Sequence, residues 1–151
     1  MKLRIQEHRN AGKIIPESIQ LEVKAAVTYA TSLKKATPAR DSILTTLRNK
    51  HGWSDEVKLS PDARISITSQ KNELALCIQT GNMSRFYADL LKLEFLFKAG
   101  RIHAAFYIIP EKRLAVAWGQ NIAQFERFTN ELKIFSQIIN TPLLIIGIPH
   151  P

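Results

Sequence analysis

The chain has 151 residues, a hydrophobic fraction of 45% and a formal net charge of +8, with an isoelectric point of about 9.8. The length predicts one domain over 1–151, with a helical N-terminal part at 1–52 and a sheet core at 53–149. The apolar content excludes a disordered chain, and the charge points to an anionic partner such as nucleic acid. A single cysteine, Cys77, excludes an internal disulfide framework and an all-cysteine zinc site. The opening residues lack the apolar core of a signal peptide, and the longest late apolar run, 143–148, is too short to span a bilayer. The expectation is a cytoplasmic protein without membrane contact.

The first patterned segment, 17–35, carries Ile19, Val23, Ala26, Val27 and Ala30 at helical spacing after Pro16. A second helix is predicted over 39–50, with Ile43, Leu44 and Leu47 on one face and Gly52 as its stop. A short strand at 57–59 follows. Segments 64–68 and 74–79 alternate polar and apolar residues, which predicts two half-buried strands. With Lys71-Asn72 as a two-residue turn, Gln70 would face Glu73, Ser66 would face Cys77 and Arg64 would face Gln79. Both apolar sets would then share one side of a hairpin.

Beyond Gly81-Asn82 the period changes. Phe86, Leu90, Leu93 and Phe97 predict an amphipathic helix over 83–98, closed by Gly100. A strand over 103–109, a helix over 122–138 and a wholly apolar strand over 143–148 complete the order. A hairpin followed by alternating helices and strands implies a mixed α/β fold, with helices on the faces of a mixed sheet. No Gly-rich phosphate loop is visible, and the four histidines lack ligand spacing.

Several side chains fit the charge. Arg85, Asp89 and Lys92 form one polar helical stripe, suited to phosphate contact with Asp89 orienting the cations, or to an exposed ion-pair row. Thr80-Gly81-Asn82 suits either backbone contact with a phosphate or a helix cap. Lys34, Lys35, Arg40, Arg48 and Lys50 make a basic set able to grip a phosphate backbone. Cys77 reads as a small buried hydrophobe, and Trp53 and Trp118 as core or rim.

The element order, together with Cys77-Ile78-Gln79-Thr80-Gly81-Asn82, Arg85 and Asp89-Leu90-Leu91-Lys92-Leu93-Glu94, resembles the restriction-endonuclease-like (PD-(D/E)XK) nucleases, in particular the Bgl II and Bam HI group of type II restriction endonucleases. The resemblance covers about 53–149. It implies a mixed central sheet built on a catalytic-type hairpin, double-stranded DNA as partner, magnesium as cofactor if the enzyme is active, and often a homodimer. In such enzymes an Asp on the first hairpin strand and a Glu on the second hold the metal, and Lys, Glu or Gln two residues later helps place water.

Gln79 fits that last position, but Cys77 stands where the Glu is expected, and Ser66 or Thr68 where the Asp is. The expected site face, Arg64, Ser66, Thr68, Ala75, Cys77 and Gln79, holds no carboxylate. Asp62 and Glu73 lie at opposite ends of the hairpin, about 25 Å apart at strand rise, too far to share a metal. The expectation is therefore a DNA-binding protein with impaired catalysis, its contacts around Arg64, Gln79, Asn82, Arg85 and Lys92. Catalytic candidates are Gln79, then Asp62 and Asp89; the metal ligands are unassigned. One alternative is an active magnesium-dependent endonuclease with carboxylates relocated to Asp55, Glu56, Asp62 or Asp89. Another is an interaction subunit of a defence or repair complex, its basic face meeting an acidic protein.

Overall fold

The computed structural model of the protein describes residues 2–151. Its elements in chain order are β1 (Arg4–His8), α1 (Ala11–Ile14), α2 (Glu17–Ala30), α3 (Ala36–His51), β2 (Val57–Lys58), β3 (Ser66–Ile67), β4 (Ser69–Lys71), β5 (Leu74–Ile78), α4 (Arg85–Lys98), β6 (Ala104–Pro110), α5 (Lys112–Trp118), α6 (Phe125–Ile134) and β7 (Leu143–Ile148). A five-stranded sheet runs β1-β7-β6-β5-β4, and β2 pairs with β3 in a separate ribbon. Strands β5, β6 and β7 are parallel, while β1 and β4 run antiparallel at the two edges. The fold is a mixed sheet flanked by helices, as expected from the sequence. No helix among the described residues is long and apolar enough to cross a membrane.

The three parallel strands are buried along their whole length because both faces are covered. One face, with Leu76, Ile78, Phe106, Ile108, Leu144 and Ile146, packs on α2 and α3. The other, with Ala75, Cys77, Tyr107, Ile109 and Ile145, packs on Phe86, Leu90 and Leu93 of α4 and Phe128 and Leu132 of α6.

The helix ends follow local chemistry. Helix α2 stops at Ala30, short of the expected 35, where the Thr31 and Ser32 hydroxyls donate to the carbonyls of Thr28 (2.7 Å) and Tyr29 (3.2 Å). Helix α3 begins at Ala36 with Pro38 inside its first turn, where a missing N–H costs nothing. It ends at Gly52, whose left-handed φ of 70° suits glycine. Glu94, near the end of α4, is buried and takes the backbone N–H groups of Asn140 and Thr141 (2.9 Å each), the Thr141 hydroxyl (2.7 Å) and the Asn140 amide (3.0 Å). That carboxylate ties α4 to the start of β7. Burial would raise its pKa, but these four donors hold it below the ordinary value.

The hairpin differs from the expectation in register. Lys71 faces Leu74, Gln70 faces Ala75 and Ser69 faces Leu76. The turn is centred one residue later, on Asn72-Glu73, because Asn72 takes the left-handed conformation (φ 53°) that asparagine tolerates. This is a slip of two residues, which preserves the faces. It brings Thr68, not Ser66, opposite Cys77. The expected strand at 64–68 also splits: Ser66 and Ile67 pair with β2, and the chain joins β5 only after Thr68. The Thr68 hydroxyl takes the Ile78 N–H at 3.3 Å in place of a strand carbonyl. Ile67 consequently packs on the α4 side, away from Leu74, Leu76 and Ile78, and Ile65 is exposed. The apolar sets of the two strands therefore do not share one side.

Candidate functional site

Where β3 parts from β5, a cleft of about 860 Å³ opens between α3 and α4. Its floor is the end of β5, with Cys77, Ile78 and Gln79 continuing into Thr80-Gly81. One wall is α4, which presents Arg85, Ala88, Asp89 and Lys92 at helical spacing. The opposite wall holds Arg40 and Arg48, two turns apart on α3, with Asp55, Glu56, Ser66 and Thr68.

Asp89 is the centre of the buried chemistry. Its Oδ2 accepts the Gln79 amide and the Tyr107 hydroxyl, both at 2.7 Å. Gln79 is held at its other end too: its Oε1 accepts the Gly81 N–H at 3.0 Å. Gly81 sits close against both side chains: a Cβ there would lie 3.1 Å from Gln79 Oε1 and 3.3 Å from the Arg85 guanidinium, so each would have to give by a few tenths of an ångström. Tyr107 is fully buried, stacks on Phe128 at 4.3 Å and neighbours Cys77 across β5 and β6. Burial, and then the Asp89 charge, pushes the Tyr107 hydroxyl well above its ordinary pKa, so it remains a donor. The same two causes push the Cys77 thiol up. Lys92 Nζ stands 3.7 Å from Asp89 Oδ1.

On the other wall Arg48 is a staple. It donates to the carbonyls of Ser54 and Thr68, each at 2.9 Å, and lies 3.9 Å from Asp55. The Ser66 hydroxyl donates to Glu56. Arg40 and Arg85 make no side-chain hydrogen bond or ion pair with protein among the described residues, so their guanidiniums are open to a ligand.

The structure thus brings Gln79, Arg85, Asp89 and Lys92 together with Arg40, Arg48, Asp55 and Glu56. Asp62 and Arg64 are exposed and do not line the cleft. Asn82 is exposed at its rim, where its Oδ1 takes the N–H and hydroxyl of Ser84 at 2.9 Å each and so shapes the entry to α4. Tyr107 was not among the expected site residues. Its signal is a lone hydroxyl in the otherwise apolar run 104–110.

Magnesium asks for several oxygen ligands, carboxylates above all. The hairpin positions offer a neutral buried thiol and a hydroxyl already bonded to Ile78. Asp89 has one oxygen taken by two donors and the other beside an ammonium. Among the described residues no group of three His, Cys, Asp or Glu side chains is placed to hold a metal. The residues present do not fit the ion.

A family model described as restriction endonuclease BglII/BglIII matches residues 3–148. The solved structure of restriction endonuclease BglII complexed with a DNA 16-mer superposes with a TM-score of 0.86 at 14% identity, over 98% of this chain and 78% of that one. The structure of free BglII gives 0.76 at 16% identity, over 98% and 79%. A search of curated proteins finds no match.

Proposed function

The chain belongs to the BglII/BglIII restriction endonuclease family, and on that premise we propose that its cleft binds the phosphate backbone of double-stranded DNA in the cytoplasm without cutting it by magnesium chemistry. The observation that carries this reading is the pair of uncommitted guanidiniums, Arg40 and Arg85, facing each other across a cleft whose hairpin carries a thiol and a hydroxyl in place of carboxylates. The BglII structure that superposes on this chain was solved with a DNA 16-mer, and the net charge of +8 has the matching sign. Phosphate contacts position a protein without reading sequence, so the binding is expected to depend weakly on sequence and steeply on salt.

Fluorescence anisotropy with a labelled duplex, across a salt series, tests binding. A supercoiled plasmid incubated with Mg²⁺, against an EDTA control, tests cleavage. The expected result is salt-sensitive binding and an intact plasmid. Nicking that needs Mg²⁺ would overturn this reading in favour of an endonuclease using relocated carboxylates, for which Asp55, Glu56 and Asp89 are the ones that line the cleft.

A homodimer is the assembly we propose. Leu91 and Phe95, 68% and 50% exposed, stand on the side of α4 away from the core, beside exposed Ile65 and Tyr87. Contiguous exposure of this kind marks an interaction surface. The same helix carries Arg85 and Lys92, so a second copy docked there would set two basic clefts side by side along one duplex. Leu91→Glu is expected to turn a dimer into a monomer in sedimentation equilibrium. A wild-type protein that sediments as a monomer at tens of micromolar would remove this assembly.

A further inference from the structure

We infer that the cleft seats a DNA phosphate directly on the ammonium of Lys92, beside the Arg85 guanidinium, with no divalent ion between protein and phosphate, and that the neighbouring Asp89 charge weakens that seat. This rests on the reading of the cleft as a DNA site. It goes further in assigning the phosphate its seat and in making that seat independent of metal.

The argument is an accounting of donors and acceptors. A bridging metal needs oxygens that protein donors have left free. Asp89 Oδ2 is spent on Gln79 and Tyr107. Its Oδ1 faces Lys92. Glu56 accepts the Ser66 hydroxyl on one oxygen. Asp55, 3.9 Å from Arg48 and almost wholly exposed, keeps its oxygens free, but among the described residues no three such side chains are placed to hold a metal. Thr68 is bonded to Ile78. The donors are in the opposite condition. Lys92 is about three-quarters buried, with a side-chain exposure of 26%, yet its ammonium makes no hydrogen bond among the described residues. At 3.7 Å from Asp89 it is attracted but not saturated, and an ammonium has three protons to give. Arg85 begins the same stripe and is likewise unspent. A largely buried cation with free donors on a cleft wall is a receptor for an anionic oxygen.

The Asp89 charge subtracts from the field felt by a phosphate there. Asp89→Asn keeps an oxygen for Gln79 and Tyr107 but removes the negative charge. Lys92→Gln removes the seat.

The experiment is duplex binding by anisotropy in EDTA and in Mg²⁺ at equal ionic strength, for wild type and both variants. Affinity is expected to be equal in the two buffers. Lys92→Gln is expected to weaken it about tenfold and to lower the salt slope by about one. Asp89→Asn is expected to tighten it about threefold or more, a change of sign that loss of folding cannot produce. Tightening of the wild type by Mg²⁺, abolished in Asp89→Asn, would overturn the inference and make Asp89 a metal ligand. If Asp89→Asn does not fold, the buffer comparison and Lys92→Gln still decide. An NMR titration of the wild type with inorganic phosphate in EDTA separates the two ideas. Shifts at Gly81 and Arg85 without any duplex binding would leave the seat standing and remove DNA as its partner. No shift there, with duplex binding intact, would leave DNA and remove the seat.

Discussion

Glu94→Ala is expected to lower the stability of the fold by about 3–5 kcal/mol, and the melting temperature by on the order of 10 °C. The Glu94 carboxylate is the acceptor for four donors on Asn140 and Thr141. Alanine would strand the buried donors of Thr141, each worth about 1–3 kcal/mol when left unpaired. Glu94→Gln keeps one oxygen and should lose about half as much. The pH dependence has a definite sign. Because the folded pKa lies below the ordinary 4.5, the carboxylate's contribution is complete above that pH and is lost as pH falls through the lower, folded value. The gap between wild type and Glu94→Ala in urea titrations should therefore narrow below about pH 4.5. A variant melting within about 2 °C of wild type would show that the network does not hold α4 to β7.

The second large effect concerns binding. Arg40→Ala combined with Arg85→Ala is expected to weaken duplex affinity by about a hundredfold or more at low salt. A guanidinium–phosphate pair is a charge-assisted contact worth about 1.5–3 kcal/mol, and two are removed. The slope of log affinity against log salt should drop by about two. Stability should change by less than about 0.5 kcal/mol, because neither side chain has a partner in the folded protein among the described residues. An affinity loss below about fivefold would place the DNA elsewhere, and a collapse of stability would mean that the two residues do structural work instead.

Much of the fold was legible where one physical pattern governed. The apolar run 143–148 reads as a covered parallel strand, and the spacing of Phe86, Leu90 and Leu93 reads as the buried face of α4. Elements without such a pattern were not visible. Strand β1 is exposed along nearly its whole length and owes its conformation to backbone pairing with β7, a tertiary cause. Helix α5 buries only Leu114 and Leu114's neighbour Ala115, which leaves no helical period to detect. The register slip came from one residue, Asn72, whose left-handed preference moved the turn.

The site divides the same way. The stretch from Cys77 to Gln79 and the stripe of Arg85, Asp89 and Lys92 were readable as a unit because strand end and helix start are joined by a short turn. The contributions of Arg40, Arg48, Asp55 and Glu56 come from α3 and the loop after it. Only the packing of α3 brings them to the cleft. Tyr107 belongs to the site through its parallel register with Cys77, a relation that adjacent sequence does not display.

The pairing of Arg4–His8 with Leu143–Ile148 also bears on how the chain acquires its shape. During synthesis the leading strand emerges long before its only sheet neighbour exists, and it must remain unpaired while nearly all of the described chain is made. The closing of that long loop is a slow event. Until then β6 lacks one of its two neighbours, and its unpaired N–H and C=O groups, on a strand of apolar side chains, are open to other chains. Newly made protein is accordingly expected to depend on holdase chaperones, and to aggregate when expression outruns them.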